Sequence, residues 1–498
     1  MPHSPTLQEK VIKGGAVVLV LAFLGSACAY LIRILFSRTL SVEDYGLFYA
    51  VFGLFSIITA YIDLGFGYSV VYLFPKQIKF KNNAKAWNIF VWGQAISLTM
   101  SVIASILFII SAPFLAQNYF KKPGSEILIY IFCIYLISFT IINGLIQIFT
   151  GFQKEKYYAS IAFSRWFLTL VFSFLFLAFG FSNIVYYAIA LCLGHILTAI
   201  IYFFLFMKKY TFLIKHKIVW DKSVLRHMFS FALPSLLETI IVSLAVLGDT
   251  FFLTLFKGVR VVGIYNIIYP LASIPLVLIN PINGLLLPLV SHLMEGEQEI
   301  LRSLLEKILQ IVPFIWLYFA LFTVLFPSSI AGLIFGQKWV GLVEIPVIIL
   351  SVGVLAMLMN GILGAITLGI GKVKAKLKMA TFTAIISLIL SGYSTYQWGV
   401  LGAVITASAM AFVVSFLFSR IIGSVFTFKM PYLFYLRLIS FSLLVYILVK
   451  IIGIYPKDWF ELIMIGLVYS MMYAIFGYTL KVYDRRLLST ILPKSMLK

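Results

Sequence analysis

Charge is what this chain has least of. Only 11% of its 498 residues are Asp, Glu, Lys or Arg, against about 25% in ordinary soluble domains. That excludes a soluble globular protein, and with it disorder and an extended coiled coil. Long polar segments are absent too, so there is no room between apolar runs for a separate catalytic domain. No phosphate-binding loop of the form G-x-x-x-x-G-K-[ST] occurs. The nearest approach, Gly364 to Gly371-Lys372, has the wrong spacing and is followed by Val373, which excludes a nucleotide-driven pump within this chain. Cysteine is nearly missing: Cys28, Cys133 and Cys192 each fall in an apolar run, which leaves no disulfide framework and reads as small packing residues. The residue pattern calls for no cofactor and no metal.

What is present is apolar: 62% of residues are hydrophobic and 17% aromatic. Continuous stretches of about 20 such residues recur about fourteen times, and continuity rather than alternation selects helices over a barrel. The spans are expected near 14–36, 46–74, 87–112, 125–148, 157–179, 183–207, 227–256, 261–291, 304–326, 343–369, 375–396, 400–425, 431–453 and 459–480. The first is too long for a signal-peptide core and has no small-residue cleavage site, so it is expected to be retained. The fold class is therefore an all-α polytopic membrane protein.

The 38 Lys and Arg residues set the orientation. With the N-terminus inside, 27 fall in cytoplasmic segments, eight in external ones, and Arg33, Arg165 and Arg437 inside spans. This positive-inside bias places both termini in the cytoplasm of a cell membrane and requires an even number of spans, fourteen or twelve but not thirteen. The formal charge of +21 is thus topology, not a sign of nucleic acid.

A repeat lies beneath the spans. At an offset of 217 residues Gly46 pairs with Gly263, Leu54 with Leu271, Ser56 with Ser273, and Asn143-Gly144 with Asn360-Gly361. Six spans are then duplicated: a bundle over 1–210, a second over 211–427, and two further helices with a basic tail over 428–498. Six is even, so the halves run parallel, related by a pseudo-twofold axis along the membrane normal, and a substrate path is expected between them.

The run Ser37-Arg38-Thr39-Leu40-Ser41-Val42-Glu43-Asp44-Tyr45-Gly46-Leu47-Phe48, with Asp63-Leu64-Gly65-Phe66-Gly67 after it, resembles the opening of the polysaccharide-biosynthesis (O-antigen-type) flippases of the multidrug/oligosaccharidyl-lipid/polysaccharide exporter superfamily. Pro234-Ser235-Leu236-Leu237, Asp249 and Val262-Gly263-Ile264-Tyr265 are similar to the start of that family's second half. The resemblance implies two six-helix bundles in a V, a polyprenyl-diphosphate-linked oligosaccharide as substrate, and neighbours in one pathway, a polysaccharide polymerase and glycosyltransferases.

Ionisable groups inside spans are costly and mark pathways by default. Arg165, deep in the fifth span, is suited to a diphosphate because its planar fork matches phosphate oxygens; the alternative is a buried ion pair. Arg33, near the outer end of the first span, is open to a phosphate contact or to snorkelling. Asp63, Glu238 and Asp249 are the acidic candidates for ion coupling or a cleft lining. Asp63 has the alternative of binding backbone freed at Gly65 and Gly67, Glu238 that of pairing with an arginine beside a Pro234 kink, and Asp249 that of simple solvation. His195 is a relay candidate or a satisfied core residue. Asn143 and Asn360 are candidates for a sugar contact or an interhelical bond. The lysine tract Gly371–Lys378 reads as a cytoplasmic loop that attracts anionic headgroups. Two other functions stay open: a cation-coupled drug or metabolite exporter on the same scaffold, and a membrane glycosyltransferase using Glu43-Asp44. Against the enzyme, Ser41 to Asp44 has the form of a helix cap.

Overall fold

A computed structural model describes residues 7–219, 222–294 and 296–480, and every regular element among them is helical. In order these are α1 (Leu7–Thr39), α2 (Val42–Tyr61), α3 (Phe66–Lys79), α4 (Asn83–Phe114), which continues into a π-helical turn at Leu115–Tyr119, α5 (Glu126–Gly151), α6 (Glu155–Ala178), α7 (Ile184–Lys209), the short α8 (Thr211–Ile214) and α9 (Lys222–Lys257). They are followed by α10 (Val259–Ala272), α11 (Ile274–Leu293), α12 (Gln298–Leu325), α13 (Pro327–Phe335), α14 (Glu344–Gly369), α15 (Val373–Trp398), α16 (Val400–Gly423), α17 (Tyr432–Ile452) and α18 (Trp459–Thr479). Eleven helical segments among the described residues are long and apolar enough to cross a bilayer. The chain is an all-helical, multi-span membrane protein.

Burial is arranged for lipid rather than water. The most apolar window of α1 has a mean hydropathy of 2.2 with only 11% of it buried, so its apolar side chains face outward as a bilayer requires. Helices meet instead through small residues. Gly93, Ser97, Ser101 and Ser105 recur every fourth residue on α4 and are all buried. Ser105 Oγ donates to the Cys133 carbonyl of α5 at 3.4 Å. Gly194 of α7 sits against Thr169 of α6, and Gly353 of α14 against Ser408 of α16. Without a hydrophobic drive between helices in lipid, such close backbone approach supplies the packing. The three cysteines are free and buried.

Two expected spans are broken. The stretch 46–74 is α2 and α3 joined by a turn in which Leu64 (φ 48°) and Gly65 (φ 78°) both adopt left-handed backbone; 261–291 is α10 and α11, interrupted at Ser273. Hydropathy sees an unbroken apolar run because apolar side chains flank each interruption.

The chain packs as two compact units. The first runs to Asn266 and takes in Ala380–Ala403; the second comprises Ile267–Met379 and the described residues from Val404 onward. In the first unit α3 lies at the centre, with Phe66, Val70, Leu73 and Phe74 buried against α4, α5, α7 and α9. Also in this unit, α2 crosses the start of α10 at two glycines. A methyl on Gly46 would meet the Gly263 amide nitrogen at 2.8 Å, and one on Gly263 would meet the Gly46 Cα at 3.3 Å. These glycines are partners at the 217-residue offset, so equivalent residues of the repeat touch each other.

Candidate functional site

Arg165 is carried by α6 on a segment with no acid in ion-pair reach among the described residues. Its Nε is buried and has no hydrogen-bond partner among the described residues. Aromatic rings surround it. The guanidinium lies 5.5 Å from the Trp166 ring centre. His195 of α7 is buried edge-on to both Trp166, at 6.0 Å, and Tyr135 of α5, at 4.9 Å. The His195 Nδ1 lies 2.9 Å from the Leu191 carbonyl one turn earlier on its own helix, which leaves its edges to the rings. In chemical terms this is an unpaired cation beside π faces, able to hold an oxyanion and to stack on a sugar ring.

Arg33 on α1 is differently placed. Its Nη1 donates to the Asn266 carbonyl at 3.0 Å, and the guanidinium lies 4.5 Å from the Tyr49 ring centre. The Tyr45 hydroxyl donates to the same Asn266 carbonyl at 3.3 Å. Tyr49 and Asn266 are themselves equivalent at the 217-residue offset, so Arg33 bridges α2 and α10 beside the glycine crossing instead of reaching for the membrane surface. Five N–H donors are available to a guanidinium, and the protein bonds use few of them. From Tyr49 a chain of ring contacts runs through Phe52, at 6.4 Å, to Tyr135, at 6.2 Å. The two arginines therefore stand at opposite ends of one aromatic strip.

Asp63 sits in the break between α2 and α3. Its Oδ1 accepts the Gly65 amide at 2.9 Å and its Oδ2 the Gln147 side chain of α5 at 3.2 Å. The carboxylate holds backbone freed by the interruption. Asp249 of α9 is buried, not solvated: its Oδ2 accepts the Tyr265 hydroxyl at 2.9 Å and its Oδ1 the Ser391 hydroxyl at 2.5 Å. The bond to Ser391 joins α9 to α15 within the first unit. No base among the described residues pairs with Asp249. The side chain of Glu238 lies outside the described residues.

The two asparagines part company. Asn360 of α14 donates to the Ala411 carbonyl at 3.0 Å and accepts from Ser415 at 2.7 Å, both on α16. Asn143 of α5 makes no hydrogen bond with a described residue, while its neighbour Gly144 is covered by Gln94 of α4. At the start of α2, Ser41 accepts the Asp44 amide at 3.0 Å and donates to the Asp44 carboxylate at 2.8 Å, which also pairs with Lys122 at 2.6 Å. Asp44 is thereby committed to a helix cap and an ion pair.

Tyr135, Trp166, Tyr45, Tyr49, Asn266, Gln147, Tyr265 and Ser391 were not among the sequence candidates. Two had a signal: Trp166 adjoins Arg165, and Asn266 is the repeat partner of Tyr49. Ser391 had none, being 142 positions from Asp249.

With this geometry in hand, the likeness to known proteins is informative. An uncharacterized membrane protein of Methanocaldococcus jannaschii is 26% identical over 415 residues, covering 80% of this chain and 81% of the relative. The teichuronic acid biosynthesis protein TuaB of Bacillus subtilis is 25% identical over 329 residues, 65% of this chain and 66% of TuaB. Among solved structures, the lipid II flippase MurJ in an inward closed conformation superposes with a TM-score of 0.74 at 14% identity, over 94% of this chain and 99% of MurJ. An inward-facing multidrug resistance MATE family transporter gives 0.66 at 19% identity, over 82% and 98%. Both share the fold. The family described as polysaccharide biosynthesis protein matches residues 11–294, and this chain, a multi-span membrane protein with the fold of flippases and transporters, belongs to that family.

Proposed function

We propose that the chain is a flippase that moves a polyprenyl-diphosphate-linked oligosaccharide from the cytoplasmic to the outer leaflet of the cell membrane for surface polysaccharide synthesis. The observation that carries this reading is Arg165: a guanidinium on a spanning helix, its Nε buried and unpaired, beside the rings of Trp166, His195 and Tyr135. The diphosphate is held at Arg165, sugars stack along the aromatic strip, Arg33 at the far end of that strip offers a second anion contact, Asn143 and Asn360 contribute sugar contacts, and the lipid tail stays in the bilayer. No nucleotide is needed. An inside-negative potential favours outward movement of each negative charge by about 2.3 kcal/mol per 100 mV, and a diphosphate carries more than one.

The cycle is alternating access of two repeat-related bundles, 1–210 and 211–427, with 428–498 appended and both termini cytoplasmic. Recurrence of helix starts supports the repeat: Val42 of α2 recurs at Val259 of α10, 217 residues on, and Glu126 of α5 at Glu344 of α14, 218 residues on. Asp249, buried without a basic partner among the described residues, couples a proton or cation, with Asp63 and Glu238 as further candidates; His195 serves as a relay. The same acid favours the second reading, a cation-coupled exporter of drugs or metabolites. A glycosyltransferase is disfavoured because Asp44 is bonded to Ser41 and Lys122. Deleting the protein and assaying lipid-linked intermediates decides between them. The flippase reading expects undecorated cell surfaces and intermediates accumulating on the inner leaflet; normal surface glycan with raised sensitivity to cationic drugs overturns it in favour of the exporter.

A further inference from the structure

The second packing unit holds a mainly apolar crevice with a few polar groups on its walls, of which only Asn360 has a role above. It has a volume of about 270 Å³ and lies between α11, α14, α15 and α16, with Asn283, Asn360, Gly361, Lys376 and Phe418 on its walls. Lys376 belongs to the tract Gly371–Lys378, whose other lysines, Lys372, Lys374 and Lys378, are exposed as the positive-inside rule expects. Lys376 differs from them. It is half-buried, it turns into the crevice, and it forms neither an ion pair nor a hydrogen bond with any described residue. Opposite it, the Asn283 side-chain oxygen is buried and has no donor among the described residues. Gly361 makes room for that amide, since a methyl there would overlap the Asn283 nitrogen. Asn360 uses one side-chain N–H on Ala411 and, as a primary amide, keeps a second.

A free ammonium, a buried acceptor that lacks a donor, and a spare amide N–H together define a ligand. An unpaired buried acceptor is disfavoured until a hydroxyl or N–H reaches it, and an unpaired ammonium at the edge of an apolar crevice draws an oxyanion. The volume is just under the range of about 300–1,000 Å³ usual for ligand pockets, so it suits one monosaccharide-sized group and not an oligosaccharide. Asn360 lies nine residues from the Gly369 end of α14, about 13 Å along the helix, and Lys376 lies in the first turn of α15. The crevice therefore begins at the lysine-rich end of the unit. From these features we infer that the crevice is a binding site for a hydroxylated oxyanion, with Lys376 on the anionic oxygens and Asn283 accepting from a hydroxyl of the same group. Two sources share this chemistry: an acidic sugar of the translocated glycan, and the phosphoglycerol headgroup of a lipid. Only the first source rests on the flippase reading; the binding itself does not.

The test is thermal unfolding of the purified full chain in an uncharged detergent, titrated with glucuronate, glycerol 1-phosphate, glucose, or sodium chloride at matched ionic strength. A saturable rise with glucuronate or glycerol 1-phosphate, absent with glucose and salt, is the expected result. Response to glucuronate alone assigns the site to glycan, and response to glycerol phosphate alone to lipid. Lys376→Gln should raise the half-saturating concentration about tenfold or more, as loss of one charge-assisted hydrogen bond predicts, while Lys376→Arg keeps most of the response. No saturable response to either anion by the unaltered protein overturns the site, as does a response that Lys376→Gln leaves intact. Because binding is read without translocation, a failure here leaves the flippase reading standing, and the converse also holds.

Discussion

Arg165→Met separates a functional arginine from a structural one. Leaving the buried Nε of Arg165 without an acceptor costs about 1–3 kcal/mol. Its guanidinium, 5.5 Å from the Trp166 ring centre, recovers about 0.5–1 kcal/mol of that as a cation–π contact at a partly open site. Methionine has similar reach and no donor to leave unpaired, so the substitution removes a larger penalty than the contact it forfeits. The expected outcome is a protein unchanged or up to about 2 kcal/mol more stable, and at the same time unable to support surface glycan. Stability is read by denaturant unfolding in mixed micelles, and function by glycan staining of cells in which the variant replaces the native chain. Arg165→Lys keeps the charge but loses the fork, so intermediate glycan levels are expected from it. Destabilisation by more than about 2 kcal/mol would mean that the guanidinium has a stabilising partner and is structural. Normal glycan in a stable Arg165→Met protein would remove the phosphate role.

At Gly46 a leucine cannot fit between α2 and α10, and the overpacking is expected to cost at least about 1–3 kcal/mol and lower the yield of folded protein; Gly258→Ala, where a Cβ meets nothing within 4 Å though the backbone is left-handed (φ 82°), should cost only about 1 kcal/mol of strain. Gly67→Ala places a methyl on Asp63 and Gln147, so unfolding should begin at lower denaturant, and restoring space with Gln147→Ala should recover part of the loss in a double-mutant cycle. Asp249→Asn keeps an acceptor for the Ser391 or Tyr265 hydroxyl and should stay folded, whereas Asp249→Ala leaves both hydroxyls without their acceptor and should lose about 1–3 kcal/mol for each left unsatisfied. If Asp249 couples an ion, Asp249→Asn transports without responding to an imposed ion gradient; an unaltered response removes it from coupling. Lys122→Met should change stability by no more than about 1 kcal/mol, because each partner of the pair with Asp44 is 34% exposed.

The course of the helices is legible in the sequence, and the faces they bury are not. Apolar runs locate α4 to α7, α12 and α14 to α18 because the bilayer demands length and hydropathy. Ser41 announces the start of α2, and Asp63 with Gly65 and Gly67 announces the break that follows. Facing is another matter. A helix in lipid is apolar on both the core and the outer side, so the periodicity that orients a soluble helix is missing. Trp166, Tyr135 and His195 therefore could not be seen converging on Arg165, and Asp249 looked solvated near a helix end because Ser391 is remote in sequence. Arg33 looked free to reach the surface. Its carbonyl partner, Asn266, is visible only through the repeat, which places it opposite Tyr49.

Translocation itself is tested with purified protein in liposomes. A fluorescent polyprenyl-diphosphate oligosaccharide is loaded symmetrically, an inside-negative potassium potential is imposed with valinomycin, and the outward-facing fraction is measured with a membrane-impermeant quencher. Labelled lipid is expected to move to the side opposite the negative potential in proteoliposomes, faster with larger potential, and to stay in place with Arg165→Met. Transfer no faster than in protein-free liposomes, by a chain that remains folded, would contradict it.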